Sequence, residues 1–475
     1  MDYEMVIGLE IHSELDTRSK IFCGCSTTFG ADVNTQTCPV CLGLPGVLPV
    51  LNEKVVEYAV KVGLATNCSI AHFSKLDRKN YFYPDLPKAY QISQYDLPIC
   101  EKGSIEIEVE GGKKVIGITR IHIEEDAGKL IHSSGGTLAD NNRCGVPLIE
   151  IVTEPDMRSA EEARVFAEKI KSILEYTKVS DCKMQEGSLR FDVNLSVMKK
   201  GSSTYGTRTE MKNLNSFRAL ERAIAYESER QIFELENGGT IVQETRKWDD
   251  DKEKSFSLRS KEEAHDYRYF PDPDLVPVIL EEDDIEAYRK ALPKLPWERK
   301  EEYISKWNLS DYDAELLTAS KETADFFEET AEICKDGKSA ANWLMGDISA
   351  ELNEKEMLLS QVNFTPKDLA ELIELIQNNT ISKSIGKTVL KGMFAGEGSP
   401  KEIVEKKNLA QNSNEDELAE MVIEIMKANP QSVEDIRSGK EKAIGFIVGQ
   451  MMKKTKGKAN PQMVNKLVKE NIDKV

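Results

Sequence analysis

Residues 5–15, MVIGLEIHSEL, alternate apolar and polar side chains near the start of this 475-residue chain. In an extended strand, Ile7, Leu9 and Ile11 fall on one face, whereas Glu10 and His12 fall on the other. The pattern therefore predicts a β-strand with one buried face and one polar face. A polar face turned to solvent explains the alternation as well as a functional site does, so this strand alone predicts no activity.

Further strands with short β-rich or alternating patterns follow up to about residue 290. They are residues 104–110 (SIEIEVE), 114–125 (KVIGITRIHIEE), 147–154 (PLIEIVTE) and 188–197 (SLRFDVNLSV). Two helices are also predicted, one beginning after the capping box at residues 159–162 and one over residues 217–236, before a Gly-Gly pair. Because the strands follow one another at hairpin spacing, we expect an α+β fold on an antiparallel sheet.

The β pattern ends near residues 292–293, and helical patterns fill the remainder of the chain. We predict three domains: a sheet domain over residues 1–292, a helical domain over 293–407 and a small helical tail domain over 408–475. The first helical domain ends in a Gly- and Pro-containing stretch, which is typical of a domain boundary.

The charge of the chain is uneven. Its 63 basic and 82 acidic residues give a net charge of −19, which argues against an unspecific nucleic-acid binder. Residues 437–475, however, hold ten basic and three acidic residues, a local charge of +7. No apolar run is long enough to span a bilayer and no signal sequence is evident, so we expect a cytoplasmic protein without membrane contact.

Four of the nine cysteines form two close pairs near the N-terminus. These are Cys23, Cys25, Cys38 and Cys41. Four thiolates at this spacing can close a tetrahedral Zn²⁺ site, and such a site is structural because it leaves no open coordination position. The alternative is that they are ordinary free thiols.

The segment 75–94, KLDRKNYFYPDLPKAYQISQ, has neither helical nor strand periodicity. Pro84 and Pro87 restrict its backbone, so we expect an ordered loop over a scaffold. Its tyrosines and lysines suit a nucleotide or an RNA end. The alternative is a Pro-rich loop whose tyrosines only cover a sheet edge.

Several carboxylates stand in unusual surroundings. Glu150 interrupts the apolar run 147–152, where an unpaired carboxylate would be costly to bury. Residues 124–126 are three consecutive acids, whose mutual repulsion favours a bound cation. Residues 188–194 alternate and aim Arg190 and Asp192 to one side. An oxygen-rich Mg²⁺ site is therefore predicted from Glu10, His12, Glu125 and Glu150, although each acid taken singly could lie on a solvated strand face.

Five separated segments together identify a family. They are IGLEIHSEL, KLDRKNYFYPDLPKAYQISQ, RIHIEEDAGK, NRCGVPLIEIVTEPD and MQEGSLRFDVNLS, in this order along the chain. The chain closely resembles the B subunits of bacterial aspartyl/glutamyl-tRNA amidotransferases over its full length. The resemblance implies a cradle domain, a helical domain and a tail related to small tRNA-binding modules.

The family's activity is an ATP-dependent transamidation. ATP phosphorylates the side-chain carboxylate of Glu on tRNA(Gln), or Asp on tRNA(Asn), and ammonia then displaces phosphate. The resemblance implies that the catalytic residues are Glu10, Lys79, Glu125, Asp192 and Glu210, and that Mg²⁺ is held by Glu10, His12, Glu125 and Glu150. It implies that Tyr81, Tyr83, Lys88, Glu124 and Arg190 serve ATP, the substrate or the ammonia path.

The same resemblance implies a heterotrimer with two partners, a glutaminase-type amidase that supplies ammonia and a further small protein. The basic tail, with Lys453, Lys454, Lys456 and Lys458, is expected to bind tRNA, although a tail that only caps the fold is the competing explanation. Two other classes of protein stay open from the sequence: a non-catalytic tRNA-binding scaffold of the same complex, and a cysteine-dependent amidotransferase that makes its own ammonia.

Overall fold

The computed structural model describes residues 2–260, 266–410, 415–438, 440, 442–455 and 458–472. The chain divides into two compact units, Met1–Leu295 and Pro296–Val475. The first unit holds the strands and the second is helical, which confirms the predicted α+β class. The further division of the helical part at residues 407–408 stays a prediction.

The first unit is built around a sheet of nine strands with the order β14-β13-β12-β11-β1-β10-β7-β6-β2. The strands of the unit are β1 Tyr3–Glu14, β2 Ser69–Ile70, β3 Phe73–Ser74, β4 Asp77–Asn80, β5 Tyr90–Ser93, β6 Cys100–Val109, β7 Gly112–Glu125, β8 Lys129–Ser133, β9 Gly136–Asp140, β10 Pro147–Thr153, β11 Leu189–Lys199, β12 Thr209–Leu214, β13 Glu244–Asp249, β14 Lys254–Ser260, β15 Phe270–Pro271 and β16 Val278–Ile279. The first predicted strand, β1, lies at the centre of the sheet.

The sheet is mixed rather than purely antiparallel, which corrects one part of the predicted fold. β12 and β13 run parallel, whereas the other pairs of the large sheet are antiparallel. Parallel strands need a crossover connection, and helix α3, Phe217–Glu236, provides it here. This single β-α-β unit was not recognised in the sequence because hairpin spacing dominates the remainder of the domain.

Helices α1 (Glu53–Ala65), α2 (Ala160–Tyr176) and α3 pack against the sheet, and α4 (Glu282–Lys290) packs against α1. Both predicted helices are confirmed. Ser159 caps α2 by accepting a hydrogen bond from the Glu162 backbone N–H. Ile7, Leu9 and Ile11 of β1 are buried, as their apolar character predicts, and the even-numbered residues of this strand from Val6 to His12 line open pockets of the structure.

The segment 75–94 is less irregular than its sequence predicts. β4 and β5 pair antiparallel from Asp77 opposite Ser93 to Asn80 opposite Tyr90. Only residues 81–89, which contain both prolines, lie outside strands at the tip of this hairpin. Proline lacks a backbone N–H donor, so Pro84 and Pro87 limit strand pairing at the tip of the hairpin, whereas the pairing of β4 with β5 is unaffected.

The second unit consists of helices. They are α5 Pro296–Trp307, α6 Asp311–Thr318, α7 Lys321–Cys334, α8 Gly337–Asn342, a π-helical segment Trp343–Ile348, α9 Ser349–Glu354, a 3-10 turn Leu359–Gln361, α10 Pro366–Gln377, α11 Lys383–Phe394, α12 Pro400–Lys406, α13 Glu415–Ala428, α14 Pro430–Arg437, α15 Lys442–Lys454 and α16 Pro461–Asn471. Helices α13 to α16 share a core of their own, which includes Leu418, Val433, Ile447 and Leu467. Among the residues described, no helix is long and apolar enough to cross a bilayer.

Candidate functional site

The even-numbered face of the central strands forms an open cleft of about 780 Å³. The antiparallel register places His12 opposite Glu150 on β10, and Glu150 opposite His122 on β7. On the other side of β1, Glu10 stands opposite Asp192 on β11. Strand pairing thus aligns side chains that are far apart in the sequence.

The first cluster of potential metal ligands consists of His122, Glu124 and Glu150, whose ligand atoms lie within 4.8 Å of one another. His122 Nε2 lies 3.2 Å from Glu124 Oε2 and 3.3 Å from Glu150 Oε2. His12 Nε2 lies 3.6 Å from the same Glu150 oxygen. A buried carboxylate between two imidazoles and beside a second carboxylate can hold a divalent cation.

The charges in this cluster support one another. Burial alone lowers the pKa of His122, but the Glu150 and Glu124 carboxylates raise it to about 9. Burial raises the pKa of Glu150, yet His122 and His12 hold it well below its usual range. Burial likewise lowers the pKa of Lys79, while Glu124 raises it overall, so Lys79 enters the cleft as a cation.

The second cluster consists of Glu10, Asp192 and Glu210, again with ligand atoms within 4.8 Å. Burial raises the pKa of Glu10, and the charge of Glu150 adds to the rise. Lys212 forms ion pairs with both Asp192 and Glu210, and its Nζ lies 2.9 Å from Glu210 Oε1. The cleft therefore combines two groups of acids with lysines on one sheet face.

Glu125 is not brought together with the other predicted Mg²⁺ ligands. Its Oε1 lies 2.5 Å from Lys88 Nζ and accepts a hydrogen bond from the Ile92 backbone N–H. It lines a smaller cavity beside Lys20 and Cys41. Adjacent residues of a strand point to opposite faces, so Glu124 enters the cleft and Glu125 does not.

Arg190 also has partners away from the two clusters. Its guanidinium lies 3.2 Å from Asp126 Oδ1, and the Asp126 carboxylate raises the pKa of Arg190. Glu14 interacts with the same two residues. Burial and the charge of Asp126 raise the pKa of Glu14 to about 9, whereas the charge of Arg190 opposes this rise. Arg190 therefore stabilises the buried Asp126 and the partly buried Glu14 in this structure.

Aromatic rings line one side of the cleft. The rings of Tyr81 and Tyr83 stack with centroids 6.2 Å apart, and Tyr267 meets the Tyr81 ring edge-on at 6.3 Å. Tyr269 stacks on Tyr95 at 4.4 Å. Lys79 Nζ lies 5.1 Å from the centroid of Tyr267. The predicted Tyr81, Tyr83 and Lys79 thus share one wall of the cleft.

Several residues of the cleft were missed by sequence reasoning. They are Gln91, Ser93, Arg120, His122, Lys212, Tyr267 and Tyr269. A signal existed for His122, which stands two residues before Glu124 in an alternating strand and so shares its face. Tyr267 and Tyr269 had no such signal, because only the tertiary structure brings them close to the other residues of the cleft.

The four predicted zinc ligands form one cage, with their sulfur atoms within 4.8 Å of one another. A hydrogen bond from Cys23 lowers the pKa of the Cys41 thiol to about 4, and Lys20 supports the thiolate with its Nζ 3.7 Å from Cys41 Sγ. Four sulfur donors around one point, with a thiolate already favoured, fit a structural Zn²⁺ ion.

The predicted tRNA-binding lysines lie in the second unit. Lys453 and Lys454 end α15 and are exposed, and Lys454 Nζ lies 2.5 Å from Glu424 Oε2. Lys458 precedes α16 and is partly buried. Lys456 lies outside the described residues.

Comparisons with known proteins identify the family. The GatB/GatE catalytic domain matches residues 5–286, and the GatB domain matches residues 325–472. The chain is 60% identical over 480 residues to the B subunit of the aspartyl/glutamyl-tRNA(Asn/Gln) amidotransferase of Caldicellulosiruptor bescii, with all of both chains covered. It is 60% identical to the B subunit of the same name from Thermoanaerobacter sp. (strain X514), and 54% to the B subunit numbered 1 of Clostridium acetobutylicum, again over all of both chains. The chain therefore belongs to the family of aspartyl/glutamyl-tRNA amidotransferase B subunits.

Proposed function

We propose that this chain catalyses the ATP-dependent amidation of Glu on tRNA(Gln), of Asp on tRNA(Asn), or of both, through an acyl phosphate. The observation that carries the proposal is the cleft, where two clusters of acids face Lys79 and Lys212 on one sheet surface. Forming an acyl phosphate brings an anionic carboxylate to an anionic triphosphate, so the site must supply positive charge to both.

Mg²⁺ fits the donor set of the cleft, because imidazole and carboxylate groups converge there within 4.8 Å. Glu10, His12 and Glu150, together with His122 and Glu124, would hold it. The ion would neutralise phosphate charge during transfer. Glu125 stays a predicted ligand that must first leave Lys88, since the two side chains are paired at 2.5 Å.

The proposed chemistry has two displacements. In the first, a carboxylate oxygen of the aminoacyl side chain attacks the γ-phosphorus, the bond to the bridging oxygen breaks, and ADP leaves. In the second, ammonia attacks the acyl carbon, phosphate leaves with its bridging oxygen, and the nitrogen loses a proton to give the amide. Lys79 and Lys212 would bind the phosphate oxygens, and the Tyr81 and Tyr83 rings would position the aminoacyl end.

The source of ammonia is proposed to be a partner amidase, with a third, small protein completing a cytoplasmic heterotrimer. The named relatives are B subunits, which implies further subunits in their complexes. Lys88 and Glu125 line a small cavity together with Cys23 and Cys41 of the cysteine cage, and we propose this cavity as part of the ammonia path. Zn²⁺ would hold the cysteine cage, and the basic tail would bind the tRNA body.

Two rival functions make different predictions. A non-catalytic scaffold explains the tail and the cysteine cage, but it does not explain buried, like-charged carboxylates paired with lysines in an open cleft. A cysteine-dependent amidotransferase needs an activated thiol. The activated thiol of Cys41 belongs to the proposed zinc cage and would not be free to react. Burial raises the pKa values of Cys68, Cys100, Cys144, Cys182 and Cys334, which makes them poor nucleophiles.

The test is amide formation from ammonium chloride by this chain with ATP and mischarged tRNA, in the presence and absence of the partner proteins. We expect amide and ADP in equal amounts, and transfer of ¹⁸O from the labelled side-chain carboxylate to phosphate. A chain that binds tRNA but makes neither amide nor ADP is a scaffold. Amide formed without ¹⁸O transfer excludes the acyl phosphate.

A further inference from the structure

A buried carboxylate behind the sheet has no part in the chemistry above. Glu227 is fully buried on α3, the helix that connects the parallel strands β12 and β13. Burying a carboxylate is costly unless hydrogen bonds and opposite charges compensate for the lost water. An apolar side chain would fill the same space at a lower cost, so the partners of Glu227 indicate what its charge does.

Glu227 has partners on three strands and on its own helix. Thr209 Oγ1 on β12 donates a hydrogen bond to it at 2.9 Å, and Ser255 Oγ on β14 donates one at 3.2 Å. Arg246 Nε on β13 lies 3.4 Å from Glu227 Oε2. Arg230 on α3 donates twice, at 2.9 Å and 2.6 Å. One carboxylate thus connects the three neighbouring strands at this end of the large sheet.

Gln231, about one turn further along α3, extends these contacts to a fourth strand. Its Nε2 donates to Thr209 Oγ1 at 2.9 Å and to the carbonyl oxygen of Leu195 on β11 at 3.3 Å. Burial raises the pKa of Glu227, but hydrogen bonds from Arg230 and Gln231 lower it overall, so the carboxylate is charged. We call six residues the Glu227 network: Thr209, Glu227, Arg230, Gln231, Arg246 and Ser255.

The strands that contact this network also carry the second acid cluster. Thr209 immediately precedes Glu210, and Arg246 immediately follows Thr245. Because adjacent residues of a strand point to opposite faces, Thr209 and Arg246 meet α3 on one face of the sheet. On the other face, Thr245 Oγ1 donates a hydrogen bond of 2.7 Å to Glu210 Oε2 in the cleft. The network therefore lies directly behind one of the acids of the cluster.

β12 is a short strand with an irregular ladder. It has six residues, its pairing with β11 shifts register between Phe191 and Val193, and Asn213 has a positive φ of 69°. A shift of one residue would turn Glu210 from the cleft towards α3. Glu210 would then meet the Glu227 carboxylate, and the two like charges would repel each other. The charge of Glu227 therefore favours the register that leaves Glu210 in the cleft.

We propose that Glu227 is a positioning residue for the amidation and fixes the strand that places Glu210 and Lys212 in the cleft. The proposal rests on the proposed ATP-dependent function, in which Lys212 binds phosphate oxygens. The competing explanation is that the Glu227 network only stabilises the packing of α3 on the sheet. The two explanations differ in whether loss of the network changes the response of the protein to divalent metal ions.

The experiment uses the full amidotransferase, with ammonium chloride as the nitrogen donor. Glu227→Gln removes the charge and keeps the shape of the side chain. Thr209→Val removes only the hydroxyl that joins β12 to the network, and Glu227 keeps its arginine partners. Leu220→Ala is the matched control for lost stability, because Leu220 is fully buried on the same helix outside the network. Ser228→Ala is the control for a lost hydrogen bond, since Ser228 Oγ donates within α3, to the Ala225 carbonyl oxygen.

Two quantities are measured: the Mg²⁺ concentration required for half-maximal amide formation, and the binding of Mn²⁺ by equilibrium dialysis without substrates. We expect Glu227→Gln to raise the required Mg²⁺ concentration by about 10-fold to 100-fold, the range for loss of a group that supports a metal ligand. Thr209→Val should raise it by about 5-fold, as for the loss of one neutral hydrogen bond. Both variants should bind Mn²⁺ more weakly than the parent, with an unchanged KM for mischarged tRNA.

The two controls should respond to Mg²⁺ and Mn²⁺ like the parent, although Leu220→Ala should melt at a lower temperature because it leaves a cavity. Two results overturn the inference. One is an unchanged Mg²⁺ requirement and unchanged Mn²⁺ binding in both Glu227→Gln and Thr209→Val. The other is an equal change in Leu220→Ala, which would show that lost stability alone accounts for the effect. If Glu227→Gln does not fold, Thr209→Val decides between the two explanations.

Mn²⁺ binding keeps this inference separate from the proposed function, because it requires no turnover. A parent that makes no amide would disprove the proposed reaction. If its Mn²⁺ binding still weakens in Glu227→Gln and not in Leu220→Ala, the positioning role of Glu227 is retained. If its Mn²⁺ binding is the same in both variants as in the parent, the positioning role is disproved as well.

Discussion

The cleft and the cysteine loop, residues 22–52, both gather potential metal ligands, but the fold holds them by different means. In the cleft, His12, Glu150 and His122 are fixed by the register of three paired strands. Around the cysteine loop, the stretch between Glu14 and Glu53 forms no helix or strand beyond an isolated bridge at Ser19 and Ser26. The cleft should therefore keep its shape without a metal, whereas the loop should depend on one.

The largest effect is expected from Glu150→Gln, which removes a charge from the cleft and leaves the strands paired. Ammonia-dependent amide formation should fall by about 100-fold to 1,000-fold, as for loss of one electrostatic contact to a transition state. Cooperative melting and tRNA binding should be retained. Undiminished amide formation in this variant would contradict a catalytic role for the cleft.

Removal of zinc tests whether the cysteine loop depends on a metal for its structure. We expect about one zinc ion per chain by elemental analysis, since one cage of four thiols is present. A strong chelator, or Cys41→Ser, should make the cysteine loop sensitive to proteases while the sheet stays resistant. The prediction is wrong if no zinc is found and all four thiols titrate freely in the native protein.

The pair Glu124→Gln and Glu125→Gln sharpens the comparison within one strand. Glu124 lies in the cleft, so its loss should raise the Mg²⁺ concentration required for half-maximal activity by about 10-fold to 100-fold. Glu125→Gln should change this concentration much less, because Glu125 is paired with Lys88. An equal rise in both variants would show that Glu125 turns from Lys88 to the metal, as the sequence predicts.

The smallest effect is expected from changes in the basic tail, whose structure depends on packed helices rather than on a sheet or a metal. Changing Lys453, Lys454, Lys456 and Lys458 together to Ala should raise the KM for mischarged tRNA by roughly tenfold, because fewer phosphates are neutralised. The dependence of tRNA binding on salt should become less steep, with an unchanged melting temperature. If affinity and salt dependence match those of the parent, the tail is only a cap on the fold.

Local patterns in the sequence were enough to predict the helices and strands whose periodicity is strong. The alternation of β1 predicted its buried and polar faces, and the capping box at Ser159 predicted the start of α2. The spacing of the four cysteines predicted a single cage, and the structure brings their sulfur atoms together. Each of these features depends on residues within about 20 positions of one another, where chain geometry limits the choices.

Tertiary structure decided the remainder. The sequence alone determined that Glu10, His12 and Glu150 are polar residues set among apolar strands, but not that they share a face across two strands. The sequence alone could not show which of Glu124 and Glu125 faces the cleft, because this depends on which face of the alternating strand the core covers. The rings of Tyr267 and Tyr81 are in contact only because the folded chain brings these distant residues together. The physical reason is that side-chain type and local period are encoded residue by residue, whereas register and proximity depend on how distant strands bury their apolar faces together.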